Sequence, residues 1–228
     1  MTDAKTPGPY PDDRTGGDIA HDLWRAAAEA TPFAGGLLSH LIDHYWRSTI
    51  ERRQLDWHNS VDECLTELAD RVEGVEEVLE SDSFLDLFLK ASVAAQQTNE
   101  EETRRRLRNA IGNAALKTEP EEWQHVFVSI LGELRPVHMQ LLVYLQNPKK
   151  FLEAAEVARL QRTMGTSVRT VAAAVFSDWS DEFFAQVART LSDHGLIQNI
   201  GGVMSGRGAI SSRTTDLGNR LLAFTSEP

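Results

Sequence analysis

Residues 37–79 read LLSHLIDHYWRSTIERRQLDWHNSVDECLTELADRVEGVEEVL. Within this stretch Ile42, Trp46, Ile50, Trp57, Val61, Cys64, Leu68, Val72, Val75 and Leu79 follow one another at 4, 4, 7, 4, 3, 4, 4, 3 and 4 residues. That spacing lies along one face of a helix. The 43 residues contain no proline, and at 1.5 Å per residue they would span about 64 Å. Gly74 marks either a bend or a break. A stripe of this length cannot be shielded by its own helix, so it needs an antiparallel partner or a second subunit. Trp46 and Trp57 lie eleven residues apart on it. Large aromatics in this position anchor a bundle core or seal a subunit interface. The helices that follow are shorter, so leftover apolar area is expected on the long helix, and with it a homodimer.

Two partner helices are legible next. SDSFLDLFLKASVAAQQT (residues 81–98) offers Ser81 or Ser83 as an N-cap and an apolar face of Phe84, Leu85, Phe88, Leu89 and Val93. The segment from Glu100 to Leu116 opens with Glu100-Glu101-Glu102 and continues into Arg104-Arg105-Arg106. Acids first and bases later suit the helix dipole and pairing four residues apart. Its apolar face is Thr103, Leu107, Ala110, Ile111, Ala114 and Ala115, and the small residues Ala110, Gly112, Ala114 and Ala115 permit close approach of another helix. Thr118-Glu119-Pro120 is the expected domain boundary.

Beyond it, Pro120-Glu121-Glu122 starts a helix with Trp123, Phe127, Ile130, Leu131 and Leu134 on one face. Pro136 kinks or ends it. Further helices are expected over VHMQLLVYLQ, residues 151–160, VRTVAAAVF and DEFFAQVARTLSDHG, with Gly195 closing the last. GGVMSGRG (residues 201–208) is turn-rich, and residues 209–213 could return as a strand paired with Leu196-Ile197. Thr214 or Thr215 caps a final helix, DLGNRLLAF.

The chain has 228 residues, 41% of them hydrophobic, and a formal charge of −11. It is long enough for a sizeable core. One cysteine excludes an intrachain disulfide framework and a Cys-rich zinc module. No signal peptide is visible and no apolar stretch approaches the length of a membrane span, so a cytoplasmic protein is expected. Residues 1–17, with Pro7, Pro9, Pro11 and Gly16-Gly17, read as a disordered tail. The expected organisation is mainly α: this tail, a helical bundle and dimerisation domain over residues 18–119, and a C-terminal domain over residues 120–228 with a small β-hairpin.

Leu191, Ser192, Asp193, His194, Gly195, Leu196 and Ile197, then Gly201 to Gly208, then Thr215, Asp216, Leu217, Gly218 and Leu221-Leu222 follow in a suggestive order. The region from Val137 to Phe224 resembles a winged helix-turn-helix domain. The resemblance implies that residues 201–208 form a wing and that the TDLGNRLL tail packs back on the core. It also implies that the helix before Gly195 could enter a major groove. In the first half, Gly35-Gly36, Arg52, Phe84, Thr98, Glu101 and Leu107-Arg108-Asn109-Ala110 look like residues of bacterial helical proteins grouped with alpha-type abortive-infection proteins. That implies a helical accessory protein near host defence and brings no catalytic residue.

Residue chemistry weighs against DNA as the partner. Asp181 and Glu182 stand at the start of the would-be recognition helix, where phosphate repels them. Its solvent face offers Arg189 and His194, and the glycine-rich segment and its return add Arg207 and Arg213. Residues 1–120 carry 13 basic and 23 acidic groups, whereas residues 121–228 carry 10 and 11. Phosphate affinity needs clustered cations. A protein partner at the C-terminal domain is therefore the expected use, with a DNA-binding transcriptional regulator as the alternative. The candidate interaction residues are Trp46, Trp57, Arg189, His194, Arg207 and Arg213.

No catalytic, cofactor or metal site is expected. His40 and His44 are four apart but lack a third ligand on the same turn. Glu63, Glu67 and Asp70 lack the Glu-x-x-His repeats of a two-metal bundle. Cys64 lies on the apolar stripe beside acids, a poor setting for a nucleophile. GGVMSGRG lacks the Lys-Ser of a phosphate loop.

Overall fold

A computed structural model describes residues 47–228. The expected tail, Trp46, His40 and His44 lie outside those residues. Helix α1, Arg47–Arg71, carries the described part of the long stripe. Trp57, Val61, Leu65 and Leu68 are buried along it. The helix does not run on to Leu79. It ends at Arg71, Gly74 takes a left-handed φ of 83°, and a short helix α2, Val75–Leu79, follows. Val72, on the expected stripe, is 40% exposed because the helix has already ended there.

Helix α3, Asp82–Gln97, begins where Ser81 accepts a hydrogen bond from the Phe84 amide. It buries Phe84, Leu87, Phe88, Ala91, Ser92 and Ala95, a face rotated from the expected one, and Val93 is exposed. Trp57 donates its indole N–H to Ser92 Oγ at 3.1 Å, fixing α1 to α3 inside the core. Helix α4, Glu101–Ala115, is the centre of the assembly. Every residue from Asn109 to Ala115 is buried. Helix α5, Glu121–Glu133, packs on α3 and α4.

Helix α6, Pro136–Gln146, turns away from α5 by 119°. Among the described residues no single helix is long and apolar enough to cross a membrane. A 3-10 turn over Pro148–Phe151 and helices α7, Ala154–Leu160, α8, Val168–Ala172, and α9, Asp181–Asp193, follow. Helices α10, Gly206–Ala209, and α11, Asp216–Phe224, complete the described chain. Helix α11 packs on α4 and α6. There Asn109 Nδ2 donates to Thr225 O at 3.1 Å, and Asn113 Nδ2 lies 3.0 Å from Phe224 O and 2.9 Å from Ser226 O. Arg220 pairs with Glu119 and sits 4.6 Å above the Trp123 ring.

The winged helix-turn-helix expectation is overturned. Among the described residues there is no β-strand, only two isolated bridges, Thr166 with Met204 and Ile197 with Thr214. Leu196-Ile197 and residues 209–213 form no strand pair, and the expected wing is fastened to residues 163–166. The Met204 amide donates to Thr166 O at 2.8 Å, the Thr166 amide returns to Met204 O at 2.9 Å, and the Gly206 amide donates to Thr163 O at 2.9 Å. The end of the expected wing closes instead into the helical turn α10, capped by Ser205. The Arg213 amide donates to Leu145 O at 2.8 Å, while its carbonyl accepts the Gln198 amide at 2.8 Å and the Thr215 amide donates to Leu196 O at 3.0 Å. That short contact between 196–198 and 213–215 amounts to one isolated bridge, Ile197 with Thr214, and builds no strand or hairpin among the described residues.

Two glycines allow this packing. A Cβ on Gly206 would lie 1.9 Å from Leu160 O, and one on Gly218 would lie 2.2 Å from Leu196 O. At Gly74 nothing lies within 4 Å of such an atom, and only the backbone conformation favours glycine. Gly206→Ala and Gly218→Ala are therefore expected to lower the unfolding free energy by about 3 kcal/mol, the upper range of overpacking. Gly74→Ala should cost only about 1 kcal/mol. Urea denaturation followed by circular dichroism checks the difference.

Candidate functional site

Four segments meet around an open cleft of about 480 Å³: α4, α6, the 3-10 turn and residues 175–179. One part of its lining is aromatic. Phe176 and Trp179 stack at 4.4 Å with their planes 33° apart, and Phe183 meets Trp179 edge-on at 5.1 Å. Tyr144 supports this wall from the core, edge-on to Phe176 at 5.4 Å and 5.6 Å from Phe151. Phe151 also lines the cleft and is exposed at its rim.

The turn that carries Trp179 is held in place by local chemistry. Arg169 Nη2 donates to Trp179 O at 2.7 Å, its Nε donates to Asp181 Oδ1 at 2.8 Å, and its guanidinium lies 5.3 Å from the Phe184 ring centre. Ser180 then accepts the Phe183 amide at the start of α9. The α4 part of the lining is polar. Arg106 Nε and Nη2 both donate to Glu102 Oε1, at 3.2 and 2.7 Å. Gln140, Ser177 and Asp178 add further polar groups.

A second cleft of about 400 Å³ is lined by Arg104, Arg105 and Arg108 with Asp56 and Glu101. The arginine run is divided among tasks: Arg104 reaches Thr98 O at 3.4 Å, Arg106 holds Glu102, and Arg108 donates to Asn109 Oδ1 at 2.9 Å. Glu100 pairs with Arg135 at 3.5 Å.

The interaction residues read from the sequence are not brought to one place. Trp57 is 1% exposed and serves the chain's own core. Arg189 is exposed on α9 and Arg207 on α10. His194 closes α9 with Nε2 3.4 Å from Glu133. Arg213 is a structural brace, donating to Gly208 O at 2.7 Å. Among the described residues no group of three His, Cys, Asp or Glu side chains could hold a metal ion. Cys64 is half-buried, and burial pushes its thiol up, an effect that Arg108 partly opposes.

The aromatic cleft escaped the sequence reading, although Phe176, Trp179, Phe183 and Phe184 fall within nine residues. Met164 and Val203 were missed as well. Met164 is 88% exposed and Val203 82%. Both stand beside the Thr166–Met204 bridge, and Val203 Cγ1 approaches within 3.7 Å of the Cβ position of Gly165. The chain matches no family model, no curated protein and no solved structure. Neither resemblance read from the sequence gains support from that result, and Phe84, Leu107 and Ala110 of the abortive-infection-like set are core residues here.

Tyr144 has a buried hydroxyl with no hydrogen-bond partner. Burial, then the charge of Glu156, raises its phenol above the ordinary value of 10. The unfolded chain therefore ionises first. The protective contribution is complete below pH 10 and is lost as pH climbs past it. Tyr144→Phe removes an unpaired polar atom and is expected to stabilise by about 1 kcal/mol. It should also flatten the decline in stability above pH 10, as measured by denaturant midpoints across that range.

Proposed function

We propose that the protein is a cytoplasmic, non-enzymatic helical scaffold that binds another protein through residues 120–228 and assembles as a homodimer through the 37–79 stretch. The observation that supports the partner surface is the Met164–Val203 tip. Two large apolar side chains stand in water on segments tied together by a reciprocal pair of backbone hydrogen bonds. Burying each against a partner is worth about 1.5–3 kcal/mol. The bridge limits the ordering cost on binding, because the loop is already held. For the homodimer, Leu55 is the exposed apolar residue on the described part of α1 that a second subunit would cover.

Light scattering after size-exclusion chromatography should give twice the 25.4 kDa chain mass, and Leu55→Glu should shift the protein toward the monomer. A monomeric wild type removes the dimer from the reading. A photo-crosslinker beside Met164 should capture one protein in stoichiometric amount from the organism's lysate. Met164→Asp with Val203→Asp should lose that protein. Equal capture by the double variant, or nuclease-sensitive material in its place, overturns the partner surface.

A further inference from the structure

We propose that the cleft between α4, α6 and the 175–179 turn binds a small, uncharged, planar heteroaromatic molecule whose edge carries a carbonyl next to an N–H. This ligand site is separate from the Met164–Val203 tip and does not depend on it. Three features of the lining select that chemistry.

The first is the polar edge. Both Arg106 bonds go to one oxygen of Glu102, so Glu102 Oε2 and Arg106 Nη1 make no hydrogen bond to the described residues. An unspent acceptor thus sits beside an unspent donor, each on a partly buried side chain. A ligand carbonyl takes the Arg106 proton while the neighbouring ligand N–H donates to Glu102. Because the two side chains hold each other, the edge is ordered before the ligand arrives.

The second is the flat wall. The Phe176–Trp179 stack presents π-surface, and Arg169 and Ser180 fix the turn that carries it. A planar ring recovers dispersion there without displacing side chains. The third is charge. Glu102, Arg106 and Asp178 leave the lining at −1, in a chain of net charge −11. That balance disfavours an anion. The volume of about 480 Å³ falls in the range of small-molecule sites and accommodates a bicyclic ring.

The test titrates 2-quinolinone into the full chain and reads binding by saturation-transfer NMR. Saturable binding to the wild type is expected. Trp179→Leu should weaken it at least 10-fold. Glu102→Gln, which retains a polar side chain on a partly exposed helix face and leaves the fold intact by circular dichroism, should also weaken it about 10-fold. The anion 2-naphthoate, of similar shape, should bind at least 10-fold more weakly than 2-quinolinone. Absence of saturable binding, equal affinity for 2-naphthoate, or unchanged affinity in Glu102→Gln overturns the proposal.

Discussion

The structure depends on the complete burial of the second half of one helix. From Asn109 to Ala115, α4 has no solvent face, so each side chain must fit a neighbour and each polar atom must find a partner within the protein. Alanines and Gly112 meet the first demand. A Cβ on Gly112 would come within 3.0 Å of Cys64 Sγ and 2.9 Å of Pro228 Cγ, so α1 and the end of the chain both rely on its absence. The carboxamides of Asn109 and Asn113 meet the second by donating to the carbonyls of Phe224, Thr225 and Ser226 at the end of α11. A buried amide left without such a partner costs about 1–3 kcal/mol. Helix α11 is therefore part of what makes α4 stable at the centre.

Around that centre the molecule has two surfaces of different character. The cleft beside α4 pairs π-surface with an ordered ionic edge and suits something small and flat. The tip carrying Met164 and Val203 exposes both side chains and is tethered by backbone bonds. In the arginine-rich region of α4, three of the four guanidiniums make bonds within the protein. Arg104 reaches the Thr98 carbonyl, Arg106 holds a carboxylate and Arg108 steadies a buried asparagine.

Much of the bundle was legible from residues alone. The four-residue spacing through Trp57, Val61 and Leu68 reports a buried helix face because burial along a helix follows its turn. Ser81 and Thr215, each one of two candidates in the sequence, cap helix starts, since each side chain satisfies an amide that the helix leaves open. The small residues of α4 foretell close packing. The glycine-rich segment misled for a physical reason. Glycines reveal that the backbone can turn, but not which carbonyl it meets, and Met204 bonds to a residue 38 positions earlier. The same blindness hid the cleft, whose two sides come from residues 102–106 and 175–179. Val72 and Val93 fit a periodic pattern yet are exposed, because a helix end and a rotated face break the link between spacing and burial.

The asparagine contacts have a consequence for the newly made chain. Their donors precede their acceptors by 111 to 116 residues. At ordinary translation rates the ribosome needs about 5–20 s to make that length. Throughout that interval a buried α4 would leave the Asn109 amide without its acceptor and Asn113 with only its bond to Asn109 O. Full closure of the interior around α4 therefore waits on the last residues of the chain.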